Sequence, residues 1–139
     1  MRLRGQAGST VVEITIFVPV ILAFLLLVVG MGRLASTRAD VDGAARDAAR
    51  AASFQRDPAT ALAAAQDAAT ATLSDRGILC QGLAVSFDSA HTNFTAGGTV
   101  GIDVDCRVRL DQTVLTGLPG SKTLTGRFVA PIDAHRGGA

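Results

Sequence analysis

The chain has 139 residues, is 48% hydrophobic but only 4% aromatic, and carries a formal net charge of +1. That length leaves room for one membrane segment and one modest domain. Its twelve Arg and one Lys are scattered rather than clustered, which argues against the electrostatic footprint of a nucleic-acid binder.

The first element is an uncharged stretch, residues 14–32, containing Phe17, Ile21, Leu22, Phe24, Leu25, Leu26, Leu27, Val28 and Val29. About 19 residues at a rise of about 1.5 Å each nearly span a hydrocarbon core of about 30 Å, so the stretch reads as a transmembrane helix. The competing reading is a cleavable secretory signal, since Arg2 and Arg4 form a basic start. It fits less well: a signal's apolar region is shorter, and here Arg33 and Leu34 follow where a small-residue cleavage site belongs. Lys/Arg counts on the two sides are nearly tied, with Arg2 and Arg4 before and Arg33 and Arg38 after, so charge leaves orientation open. Cys80 and Cys106 bear on it. A disulfide between them persists only in an oxidising compartment and would place the C-terminal domain outside the cytoplasm.

An alanine-rich helix is expected next, over residues 34–55, continuous with the membrane segment. Arg38–Asp42, Asp42–Arg46 and Asp47–Arg50 stand four or three apart and are spaced to pair on its surface. Val41, Ala44, Ala45, Ala48, Ala49 and Ala52 form a small face that lets another helix approach closely. Gly43 reads as a weak point. Asp57-Pro58 breaks the helix, with Asp57 suited to capping and Pro58 to the first turn of a second helix running through Leu73. Leu62, Ala65, Ala69 and Leu73 share one side of it, enough to lie on a sheet. From Ile78 the period becomes two. Leu83, Val85 and Phe87 alternate with polar or small residues, and Val100, Ile102, Val104, Cys106, Val108 and Leu110 alternate with Gly101, Asp103, Asp105, Arg107, Arg109 and Asp111, as in antiparallel strands covered on one face. Residues 89–98 form a hairpin loop or longer crossing, and a last strand over 124–130 ends at Pro131. The expected fold class is α+β: a long N-terminal transmembrane helix continuing outside the membrane, a short second helix, then a small antiparallel β-sheet. Cys80 and Cys106 are expected to staple that small domain with an intrachain disulfide.

Glu13 is the most informative residue. It is a carboxylate at the start of an apolar run, between Val12 and Ile14, where charge in lipid is costly unless it is paired or sits near the headgroups. Position alone is equally consistent with a residue that only snorkels to the interface. Its neighbours give a sharper reading: Gly8-Ser9-Thr10-Val11-Val12-Glu13 looks like a prepilin processing motif, with a small residue before the cut and Glu fifth in the mature chain. With Pro19, Gly32-Arg33, Ala44-Ala45-Arg46 and Ala48-Ala49-Arg50-Ala51-Ala52, the first 50 or so residues resemble the TadE-like family, small pilin-like proteins of tight-adherence (Flp pilus) secretion systems. The resemblance implies a leader, residues 1–8, cut between Gly8 and Ser9 by a membrane prepilin peptidase. It further implies a helix that packs into or primes a filament, with other pilin or pseudopilin subunits and the membrane platform of the pilus machine as partners. Glu13 would then neutralise the Ser9 ammonium of a neighbouring subunit and set the axial register. Pro19 removes one helical donor opposite the Thr15 carbonyl, although membrane helices often tolerate proline.

The resulting organisation is leader 1–8, transmembrane helix 9–32, extracytoplasmic helical region 33–76, sheet 77–132 and flexible tail 133–139. No catalytic residue, metal site or cofactor is expected. His91 and His135 lack a nearby ligand set, Asp103, Asp105 and Asp111 read as a solvated strand face, and Asn93-Phe94-Thr95 is a short glycosylation match of little specificity. The leading expectation is thus a non-enzymatic minor pilin or pseudopilin acting in pilus assembly at the cell membrane. The alternative is a single-pass, membrane-anchored extracytoplasmic binding module.

Overall fold

The computed structural model describes residues 7–113, 117 and 119–135, the side chains of 7–11 and 113 excepted. Most of the expected leader, residues 1–6, and the end of the expected tail, 136–139, lie outside the described residues.

Helix α1, Ala7–Ser53, contains 47 residues and is therefore about 70 Å long. It runs unbroken through Pro19. Helix α2, Pro58–Asp75, starts as its sequence dictates: the Asp57 side chain accepts from the Thr60 N–H at 3.1 Å, and Pro58 fills the first position, where no N–H is needed. It ends two residues beyond the expected Leu73. Gly77 there takes φ +69°, its N–H bonds the Ser74 carbonyl, and the Ile78 N–H bonds the Leu73 carbonyl. This paired closure satisfies carbonyls that a helix end otherwise leaves open.

Three antiparallel strands follow, β1 (Gly82–Phe87), β2 (Thr99–Arg109) and β3 (Ser121–Pro131), with β2 in the centre. Val100, Ile102, Val104, Cys106 and Val108 are buried along one face of β2, as the period of two requires. The alternation in the sequence runs on to Asp111, but the strand stops at Arg109. Leu110–Thr113 turn into a short helix, α3, and Asp111 binds Arg109 through two hydrogen bonds, Nε at 3.0 Å and Nη2 at 2.6 Å. Asp111 therefore does not share the outer face of the strand with Asp103 and Asp105.

The core lies between the C-terminal half of α1, helix α2 and the inner sheet face. Val41, Ala44, Ala45, Ala48, Ala49 and Ala52 are all fully buried, and the helix that approaches this small face is α2 of the same chain. Two expectations change here. Helix α2 packs chiefly on α1 and only secondarily on β1, and its buried row is Ala61, Ala65, Ala69 and Leu73, with Leu62 half-buried beside it. Alanine brings two helix axes close, so the contact selects Ala61 over the larger Leu62. The expected intrahelical pairs Arg38–Asp42, Asp42–Arg46 and Asp47–Arg50 are not among the ion pairs of the described residues. Instead α1 uses its acids to hold α2: Asp40 pairs with Arg76 Nη1 at 2.6 Å, and Asp47 accepts from the Thr72 hydroxyl at 2.8 Å. Gly43 serves the same contact, because a Cβ there would lie 3.2 Å from Arg76 Nη2.

Candidate functional site

The two halves of α1 have opposite surroundings. From Val41 onward the helix forms the core, whereas every residue from 12 to 31 except Gly30 is exposed. Phe17, Ile21, Phe24, Leu25 and Leu26 point away from the axis on different sides with no neighbour to cover them. A helix that is apolar all round and unpacked has no stable place in water; it needs a membrane or a bundle of other helices. Among the described residues one helix, near the N-terminus, is thus long and apolar enough to cross a membrane.

Gly8 and Ser9 fall in the first turn of α1, and Glu13 lies one turn further on, exposed. Ser9 and Glu13, four positions apart, share one face of the helix. The two positions lie about 6 Å apart along the helix axis.

At the other end of the apolar half the domain begins. Cys80 and Cys106 form a disulfide with Cα atoms 5.3 Å apart, an ordinary separation for such a bond. Cys106 is buried in the centre of the sheet, so the bond ties the segment leaving α2 to the middle strand.

The polar residues of the sheet are engaged with one another. On its outer face Asp103 takes both an Nε and an Nη2 hydrogen bond from Arg127, Asp105 accepts from the Thr125 hydroxyl, and Arg107 donates to the Ser121 hydroxyl. Asp103 faces Arg127 and Asp105 faces Thr125 in register across β2 and β3, so these are cross-strand pairs that stabilise the sheet. Asp88, half hidden in the sequence as the last polar member of the β1 alternation, is buried. Its carboxylate meets His91 Nδ1 at 2.7 Å, the Ala90 N–H at 3.0 Å and Arg127 Nε at 3.6 Å. The His91 hydrogen bond holds the Asp88 carboxyl below its ordinary value, against the opposing effect of burial. Arg127, bonded to Asp103, is held more firmly protonated than usual. Thr92 completes this corner: its hydroxyl lies 2.7 Å from the Asp88 carbonyl and accepts from the Gly101 N–H at 3.1 Å. Gly101 permits the approach, since a Cβ there would lie 3.0 Å from that of Asp88. The pattern Asp-x-x-His-Thr directly after a strand was the available signal for this turn. His135 lies apart, near Asp133 at 3.5 Å, and among the described residues no three His, Cys, Asp or Glu side chains are placed to hold a metal ion.

Neither the curated proteins nor the solved structures that were searched contain a match to the chain. The family comparison does give one, over the part of the chain that the exposed helix occupies. Residues 8–50, which hold Gly8, Ser9, Glu13, the whole apolar half of α1 and all of its buried alanine face except Ala52, match the family described as TadE-like protein.

Proposed function

We propose that the chain is a minor pilin or pseudopilin of a tight-adherence pilus or secretion system and acts in pilus assembly rather than in catalysis. The observation that carries the reading is the coincidence of the TadE-like match at residues 8–50 with a helix whose first half is apolar and uncovered. In this reading the apolar half holds the chain in the cell membrane as a single pass and later packs among the helices of other pilin or pseudopilin subunits and the membrane platform of the pilus machine. The sheet domain lies outside the cytoplasm. A Cys80–Cys106 disulfide favours that side, because such bonds persist in oxidising compartments.

Prepilin peptidase cuts between Gly8 and Ser9 and releases the ammonium of Ser9 at the edge of the lipid. Glu13 of a neighbouring subunit pairs with it. An unpaired charge among apolar helices is far more costly than a paired one, so the pair sets how far one subunit slides along the next. Mass spectrometry of the N-terminus of the protein recovered from membranes tests the reading. A chain beginning at Ser9 supports it; an intact Met1, or a cut beyond Arg33, refutes processing as a pilin.

A further inference from the structure

Where α1 leaves its apolar half, a groove of about 570 Å³ opens between the helix and the segment that follows α2, and its walls include Arg33, Ser36, Asp40, Arg76, Ile78 and Leu79. We propose that this groove takes the phosphate headgroup of a membrane phospholipid, with Arg33 as its anion-binding residue and Leu79 inserted beside the acyl chains. The inference rests on the membrane-anchored reading above.

Three observations converge on it. The first is depth. The headgroup layer adds about 5 to 7 Å on each side of the hydrocarbon core. Arg33 is the first charged residue after the apolar run, and Ser36 lies three residues on, about 4.5 Å further along the axis. Both therefore fall within the headgroup layer when residues 14–32 span the core. The second is charge. Asp40 is already engaged with Arg76, whereas Arg33 has no ion-pair partner among the described residues. A further cation stands at the same end of the sheet: Lys122 lies opposite Val108, which also lines the groove. A guanidinium with open donors matches a phosphate diester in charge and geometry. The third is Leu79. It is 77% exposed, although it sits between Ile78, packed on the core, and Cys80, held by the disulfide. A leucine held exposed on the groove wall by its neighbours is apolar surface whose burial against lipid would be favourable.

The test uses the full chain in nanodiscs of equal parts phosphatidylglycerol and phosphatidylcholine, released and weighed by native mass spectrometry for retained phospholipid. Arg33→Gln and Leu79→Glu should each lower retention roughly fivefold, the equivalent of about 1 kcal/mol for one cation at a lipid surface. Arg56→Gln, at the turn between α1 and α2 and far from the groove, should leave it unchanged. Full retention in both groove variants overturns the proposal while the anchored reading stands. A parent chain recovered outside the discs overturns both. Loss of retention in Arg33→Gln, matched by tight binding of inorganic phosphate to the parent in detergent, would assign the groove to a free anion and overturn the lipid assignment. Disulfide formation and an unchanged thermal transition in each variant establish that the domain is folded.

Discussion

Gly126 of β3 meets the backbone of Val41 on α1 so closely that a Cβ on the glycine would lie 2.6 Å from the Val41 carbonyl oxygen. The sheet is thus laid directly on the helix that continues into the apolar segment, with no side chain between them at this point. Gly126→Ala should force the strand off the helix and destabilise the domain by about 1 to 3 kcal/mol, as overpacking of a tight core does. Gly82→Ala, at a strand glycine with open space where a Cβ would be, is the control and should change stability little. Thermal unfolding of the detergent-solubilised variants measures both.

The Cys80–Cys106 bond spans 26 residues, and closing a loop of that size is expected to contribute roughly 3 kcal/mol. Both thiols should resist alkylation in protein purified without reductant. The Cys80→Ala, Cys106→Ala double variant should unfold at a markedly lower temperature than the parent. Two freely alkylated thiols in the native protein would contradict the bond and remove its support for an extracytoplasmic domain.

Acid should loosen the corner built on Asp88. Its folded pKa lies below the ordinary 3.8, chiefly because of the His91 hydrogen bond. The stabilisation is therefore complete above about pH 4, the carboxylate's unfolded range, and is lost as pH falls through the depressed folded value. Asp88→Asn should flatten that part of the stability curve. A parent and variant with parallel stability profiles between pH 5 and pH 2, roughly the range over which carboxylates titrate, would show that Asp88 is not the group responsible.

Glu13→Leu separates insertion from assembly. It replaces a carboxylate in an apolar run with a residue that favours insertion, so membrane fractionation should show the variant inserted at least as well as the parent. On the proposed function, incorporation into the pilus or its assembly complex should fall sharply, because the Ser9 ammonium of the neighbouring subunit would lose its counter-ion. Glu13→Asp should be intermediate. A Glu13→Leu protein that is processed and assembled like the parent would reduce Glu13 to an interfacial residue.

Strong contrast between neighbouring residues made β2 legible: from Ile102 to Val108 apolar residues alternate with charged ones, and the strand follows. The cap at Asp57-Pro58 was legible for a similar reason, since each residue type suits one position. Helix α2 was harder, because a run such as Ala63-Ala64-Ala65 is equally apolar on every side and the eye falls on Leu62, while tight packing prefers Ala61. Apart from the two cysteines, which have only each other to pair with, partners distant in sequence were illegible. Asp40 with Arg76, and Gly126 with Val41, are joined only by the fold, and local spacing suggested intrahelical partners for the acids of α1 instead. At the N-terminus the motif itself was visible, but its partner in this reading is another subunit, which no single chain displays.

Since α1 is one unbroken helix from its first turn to Ser53, the compass bearing of the sheet domain about the helix axis, relative to the apolar half, is fixed by residue count. Each residue of an α-helix turns about 100° and advances about 1.5 Å. A single alanine inserted after Gly32 would swing the whole sheet through more than a quarter of a circle while leaving every contact inside the domain and every apolar residue before it intact. A four-residue insertion would restore the bearing to within about 40° and raise the domain by about 6 Å. The helix therefore works as a keyed shaft, and whatever surface the sheet presents to its neighbours is aimed by the number of residues between Glu13 and Val41.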